Sequence, residues 1–441
     1  MFYLLILLSY MSKLLKYLSL IILFLLPFQT RLIYKPAYLG GYFMEWFSGS
    51  IYAVEILIWI VIILTFFRLI LNKKFWTEIN QVKDKKDRLM KIVRPTIFLL
   101  ALVVYLFIVP LDRDLAQMKI FFLLGGACFA VTLLLNKISF KQISLMLWSG
   151  GVLQAIIGTA QFIIQRTWAT KWLGWALHQQ SDLGAAVLQT GGGERWLRAY
   201  GSFGWPNDLG FYLSIMFILG FWLYQKTQKE KEKIMLSIGQ LLIMAGLFFS
   251  FSRAAIIALL VGLLWIFWRE GKKILQPLFW PIILFVILSI IYLPLLQSRV
   301  TAENYLESRS INERVGQYGE FKNIFEKHPM LGVGPGNYVY VLFIQNPGLS
   351  PWFYQPVHNV YLLFLAEWGI IGVIFILFLA YWFFKEIWKN NREILPLWVL
   401  VVTAFLFDHY FYTSYSGILI ICILVALSVK GPYLTSSKSG W

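Results

Sequence analysis

Three short segments of this 441-residue chain put cationic or proton-transferring side chains where helices begin. The first reads Arg198-Ala-Tyr-Gly-Ser-Phe-Gly-Trp-Pro-Asn207-Asp-Leu-Gly, with Asn207 read as the N-cap of the following helix. The second is Ser252-Arg253, and the third is Gln355-Pro-Val-His358-Asn359-Val-Tyr361. Arginines beside a helix N-terminus make an anion site, because guanidinium donors and unpaired backbone N–H groups both face the ligand. A histidine near neutral pH can take a proton, and a positive surround lowers its pKa and keeps the ring neutral. The set therefore suits an anion such as the diphosphate of a lipid headgroup, with a titratable ring beside it.

Each residue alone has a plainer use. Arg253 in a tight turn fits a guanidinium snorkelling to lipid headgroups. Arg198 and Arg314 fit ordinary loop charges, and His358 fits a helix-start residue satisfied by backbone. His178, His328 and His409 are read as structural. Glu55, Glu367, Asp408, Gln154, Gln161 and Gln240 fall in or near apolar runs, where they suit either function or interhelical hydrogen bonds. The case for a site rests on convergence. No His/Cys cluster has ligand spacing, and there is no P-loop or dinucleotide fingerprint, so neither metal nor cofactor is expected.

The elements that position these segments are membrane helices. Hydrophobic residues make up 59% of the chain and charged residues 14%, and mean hydropathy is +0.68. The apolar residues gather in runs long enough to cross a bilayer. Lipid offers no partner to a backbone polar group, so such runs must be helical. About twelve spans are read, over 17–29, 48–71, 95–111, 118–135, 143–164, 207–224, 234–250, 253–268, 275–296, 358–384, 394–411 and 415–430. The expectation is an all-α polytopic protein, 1–441, forming a single integral membrane domain. Two long outer-face loops interrupt it: 165–206, rich in Trp, and 297–357, with a surface helix near 311–326. The first loop's tryptophans read as an interfacial belt before they read as sugar-stacking surfaces.

Lys and Arg set the sidedness. The basic groups Lys73–Arg94, Lys226–Lys233, Arg269–Lys273 and Lys385–Arg392 fall on one side with both termini, the cytoplasmic side. Ile234 to Trp268 is almost uninterrupted, about 35 residues or roughly 50 Å of helix, too long for one crossing. Both its flanks are basic, so the chain must reverse near Ser250–Arg253. Lys13 and Lys16 precede an uncleaved first span, with Met11 an alternative start. The net charge of +17 belongs to these loops rather than to nucleic-acid binding, and Cys128 and Cys422 lie in apolar runs as packing residues.

From about Arg198 to Tyr381 the chain resembles the O-antigen ligase and O-antigen polymerase superfamily of bacterial membrane glycosyltransferases. The resemblance lies in Arg198 with Gly201-Ser-Phe-Gly-Trp-Pro-Asn207, Phe251-Ser-Arg253-Ala, Arg314 and His328-Pro-Met-Leu-Gly-Val-Gly-Pro-Gly-Asn337. It closes on His358-Asn359-Val-Tyr361-Leu-Leu-Phe-Leu-Ala-Glu367-Trp-Gly369. Ser202 and Trp205 depart from the usual pattern. The resemblance implies a membrane glycosyltransferase in the bacterial inner membrane, acting on the outer face without metal. Its donor would be a polyprenyl-diphosphate-linked glycan, its acceptor a glycan or glycolipid, and its surroundings membrane lipids. His358 would be the general base. Arg198, Arg253 and Arg314 would hold the diphosphate, with Asn207, Asn359 and Tyr361 in support. Ligase, repeat-unit polymerase and transfer to protein hydroxyls stay open, the acceptor site being expected in the divergent loops, 167–205 above all. A transporter of the same lipid-linked glycan is the alternative of another class; it would want charges near the membrane midplane.

Overall fold

A computed structural model describes residues 2–72, 104–190, 192–301 and 305–430. The basic connection from Lys73 to Arg94 and most of the expected span 95–111 lie outside the described residues. Among the described residues the protein is all-α, with three short two-stranded hairpins on its loops.

The helices are α1 (Phe2–Leu25), α2 (Ala53–Leu71), α3 (Arg113–Leu135), α4 (Phe140–Ile164), α5 (Pro206–Lys226), α6 (Glu230–Phe249), α7 (Arg253–Glu270) and α8 (Leu275–Ile291). They continue as α9 (Leu293–Thr301), α10 (Tyr305–Lys327), α11 (Tyr338–Gln345), α12 (Val360–Asn390), α13 (Leu395–Ala404), α14 (Tyr410–Thr413) and α15 (Tyr415–Lys430). Seven of those described are long and apolar enough to cross a membrane, or eight if the α8–α9 pair, bent by 85°, is one span. The difference from about twelve has local causes. The run 394–411 forms only the 10-residue α13, because the chain loops out at Asp408-His409, and 415–430 gives a helix of 16 residues. The run 275–296 breaks at Tyr292, and Pro294, in the first turn of the following helix, has no N–H with which to continue the ladder of α8. The run 48–71 begins as strand, Gly49–Tyr52 pairing with Arg31–Lys35 before α2 starts.

α5 is the central helix: 78% of its apolar window is buried, against 22% for α12 at the periphery. It also fixes the direction of its neighbours. Gly210 near its start sits against Ser250, Ser252 and Ala255, while Gln225 at its end donates to Glu270. α7 therefore runs alongside α5, and α6 runs the opposite way, so the chain does reverse over Ser250–Ser252. Phe251 takes a left-handed φ of 46° there. The expected N-cap at Asn207 is corrected: Trp205 is the cap and Pro206 the first helical residue, the position where a missing N–H costs nothing. At the far end, Glu393 lies 3.7 Å from Lys226 and 3.8 Å from Arg269, so the later basic clusters meet at one end of the bundle.

α12 is broken by Gly369 at φ 66°, which frees backbone groups in mid-helix. The Gly- and Pro-rich segment after α10 satisfies them. Val333 and Gly334 donate to the carbonyls of Ala366 and Glu367, and Ile370 donates to that of Pro329. Glu367, one of the acidic residues noted in the apolar runs, is spent on this strap: its carboxylate accepts from the Gly336 N–H and the Tyr412 hydroxyl.

Candidate active site

The segment carrying Arg198 is drawn into the bundle by hydrogen bonds from α4. Gln161 accepts from the N–H groups of Tyr200 and Gly201 and donates to the Gly201 carbonyl, and Gln154 accepts from Ser202 N–H at 2.7 Å. Two buried glutamines that suited either function or interhelical bonding thus hold a loop. Ala199 N–H donates to Phe249 O, tying the segment to the end of α6. Arg198, 8% exposed, then donates from Nε to Ser250 O and from Nη2 to Asn207 Oδ1, both at 2.8 Å. The Asn207 amide passes the chain on, donating to Asp408 Oδ2 at 3.0 Å. Asn207 therefore works as a bridge rather than a cap.

His358 is set by the start of α12. Asn359 is the N-cap, its Oδ1 accepting from Leu362 N–H at 3.2 Å. Tyr361 donates to Val402 O at 2.8 Å, and Val360 N–H to Phe405 O, so the end of α13 docks on this helix start. That docking carries Asp408 and His409 against His358, whose ring centre lies 5.0 Å from that of His409. His409, read as structural from sequence, lies in the site.

Gln317 on α10 completes the arrangement. Its Oε1 receives the His358 backbone N–H at 3.1 Å and contacts His358 Nδ1 at 2.9 Å. An atom that accepts a backbone N–H must be the carbonyl oxygen, which cannot donate, so Nδ1 carries the proton. Nε2 is left with its lone pair. Burial, and then the His409 and Arg314 charges, push the His358 pKa well below its ordinary value despite Asp408 nearby. Burial alone would raise the Asp408 carboxyl, but His409, His358, Arg314 and the Asn207 amide hold it below the ordinary range. At neutral pH the site holds an ionised Asp408 and a neutral His358.

Beside this lies a cluster of arginines. Arg253 bonds Glu307 at 3.2 Å and the carbonyl of Arg299; Arg299 also bonds Glu307, and donates to Phe251 O at 3.0 Å. Arg314 makes no hydrogen bond or ion pair among the described residues, yet its charge acts on Arg198, Arg299 and His358. Arg253 and Arg299 thus share the carboxylate of Glu307, while Arg198 and Arg314 make no ion pair among the described residues. Burial, then Arg299, pushes the Arg198 pKa well down, as expected of a cation short of anions.

All the residues picked from sequence, Arg198, Arg253, Arg314, Asn207, His358, Asn359 and Tyr361, contribute to this corner or to the helix start that supports it. Arg299, Glu307 and Gln317 were missed; Asp408 was noted only as suiting function or interhelical bonding, and His409 was read as structural. Asp112 and Asp114, spaced as a metal-binding pair would be, are engaged elsewhere: Asp112 caps α3 and Asp114 pairs with Lys35. The Trp-rich segment is partly structural. Trp175 donates to Ser202 Oγ and Trp196 packs on Phe162, while Trp172 and Trp205 stay exposed.

No curated protein is similar to the chain at a significant level. Residues 238–377, from α6 into α12, match the model of the O-antigen ligase family; they include Arg253, Arg314 and His358 but not Arg198 or His409. Over this segment, about a third of its length, the chain is similar to the O-antigen ligase family, which supports a place in that superfamily.

Proposed function

We propose that the protein transfers a glycan from a polyprenyl diphosphate carrier to an acceptor hydroxyl, on the outer face of the bacterial inner membrane. The observation that carries this reading is the pairing of a histidine whose Nδ1 is held by Gln317, leaving its Nε2 lone pair, with a cluster of arginines gathered around the one carboxylate of Glu307.

In this reading the acceptor O–H gives its proton to His358 Nε2 while its oxygen attacks the anomeric carbon. The bond from that carbon to the phosphate oxygen breaks, and its electron pair leaves with the carrier diphosphate. Arg198, Arg253 and Arg314 stabilise the developing charge, and Arg299 joins them. Fixed guanidinium groups are already oriented, so no solvent reorganisation is needed as charge builds, and metal independence follows as an expectation. Asp408 stabilises the imidazolium that forms, since the neighbouring His409 would otherwise oppose it. His358 lies at the end of the bundle away from the basic clusters, which supports a reaction on the outer face if the basic end is cytoplasmic.

The acceptor distinguishes the versions. Carrier diphosphate release in proteoliposomes, with chelator present and a panel of acceptors, decides between them. Release that depends on a lipid A core glycolipid makes this a ligase; dependence on a second lipid-linked repeat makes it a polymerase. Glycolipid crossing the bilayer with no release would overturn the transferase reading altogether.

A further inference from the structure

One stripe of α10 continues outward from His358. Gln317, Glu313 and Arg309 recur every four residues and so lie one above another on the helix. Gln317 holds the His358 ring. Glu313 acts on that ring electrostatically and pairs with Arg309 Nε at 2.8 Å. The Arg309 guanidinium lies 6.0 Å from the centre of the Trp352 ring, and Trp352 meets Tyr42 edge to face at 6.2 Å. The helical part of the stripe spans roughly 12 Å at 1.5 Å per residue. Arg314, the next residue after Glu313, faces the arginine cluster instead.

The outer end of the stripe is open. Trp352 and Tyr42 are 55% and 57% exposed, and the Arg309 and Glu313 side chains 41% each. Tyr42 reaches this place because Gly40 and Gly41, both at positive φ, turn the hairpin Tyr38–Phe43. The same excursion sets Trp46 edge-on to His409 at 5.6 Å. From outside to inside, the order is an aromatic pair, an ion pair, then the base.

That order matches the two surfaces of a pyranose. Its C–H face packs on an aromatic ring, and its hydroxyl rim wants a donor and an acceptor side by side, which a guanidinium–carboxylate pair supplies. An interfacial belt also uses Trp and Tyr, but gains nothing from an ion pair leading to a base. We propose that Trp352, Tyr42, Arg309 and Glu313 form the subsite for the sugars next to the accepting hydroxyl, so that the acceptor is a glycan chain entering over Trp352. This rests on the transferase reading with His358 as base.

The test uses the full chain in proteoliposomes, with labelled lipid-linked glycan from the source cells as donor. The acceptors are methyl glycosides of its own oligosaccharide, one to four sugars long. Trp352→Ala and Tyr42→Ala should each raise the acceptor KM roughly tenfold, the scale of losing a Trp or Tyr anchor. The donor KM and acceptor-free donor hydrolysis should stay unchanged, and Trp352→Phe should restore most of the loss. An unchanged acceptor KM in both alanine variants would overturn the subsite. So would a fall in donor hydrolysis and thermal stability together, which would make the pair structural. His358-dependent hydrolysis with transfer to none of the glycosides would overturn the glycan acceptor alone. Hydrolysis independent of His358 would overturn the underlying reading instead.

Discussion

Replacing Gln317 tests whether His358 is held in one tautomer. Gln317 is 3% exposed, and its Oε1 accepts both the backbone N–H and the Nδ1–H of His358. Gln317→Leu keeps similar bulk but strands two donors, each costing about 1–3 kcal/mol when buried without a partner. The ring can recover part of that by turning or by moving its proton to Nε2, and either change removes the Nε2 lone pair that the proposed proton transfer needs. A kinetic share of about 1.4–2.8 kcal/mol corresponds to a fall of roughly 10- to 100-fold in kcat, with little change in donor KM. Gln317→Glu provides the contrast. A carboxylate still accepts from Nδ1, keeps the tautomer, and stabilises the protonated ring, so activity should survive while the acidic limb of its pH profile moves to higher pH. The assay is release of carrier diphosphate under saturating donor across pH 5–8. Wild-type kcat in Gln317→Leu, together with an unmoved pH limb in Gln317→Glu, would refute the tautomer clamp.

The lowered pKa of His358 sets the pH dependence. The base must be neutral, and protonating it takes a pH below the usual histidine value near 6.5, so the acidic limb of kcat/KM should fall below that value. A bound diphosphate adds negative charge, so the limb in kcat should lie higher than the limb in kcat/KM. Arg314→Ala should raise donor KM roughly tenfold, the effect of losing one charge-assisted contact, and leave detergent thermal stability unchanged, because Arg314 has no bond to lose among the described residues. Arg198→Ala should lower that stability as well, since it strips Ser250 O and Asn207 of their partner. Gly369→Ala should cost more than 2 kcal/mol: its φ is positive and the added Cβ would sit 2.3 Å from Met330 O. A shift in thermal midpoint measures it, and an unshifted midpoint would mean that the strap across α12 gives way.

Much of the frame was legible because the bilayer demands it. Long apolar runs must be helices, and the basic flanks of Ile234–Trp268 required the reversal that Phe251 makes. Arg198, Arg253 and His358 could be grouped because each lies on a segment that leads into a helix, and helix starts on one side of a bundle converge. The partners could not be found that way. Asp408 and His409 reach His358 only through the docking of α13 on α12, and Gln317 through the packing of α10, contacts of 41 residues or more in separation that leave no local pattern. The Asn207 error was avoidable, because Pro206 marks the first helical position more strongly than asparagine marks the cap. The hairpins of 31–52 carry too few residues for any period to show, and their aromatics read as part of the membrane pattern.

The central claim is that His358 accepts a proton as the carrier diphosphate departs. Acceptor-dependent diphosphate release by wild type and His358→Ala in proteoliposomes, each verified as folded by thermal stability, tests it directly. The account predicts a loss of about 10²–10⁴-fold in the variant, with donor binding retained. Release at the wild-type rate from folded His358→Ala would contradict it.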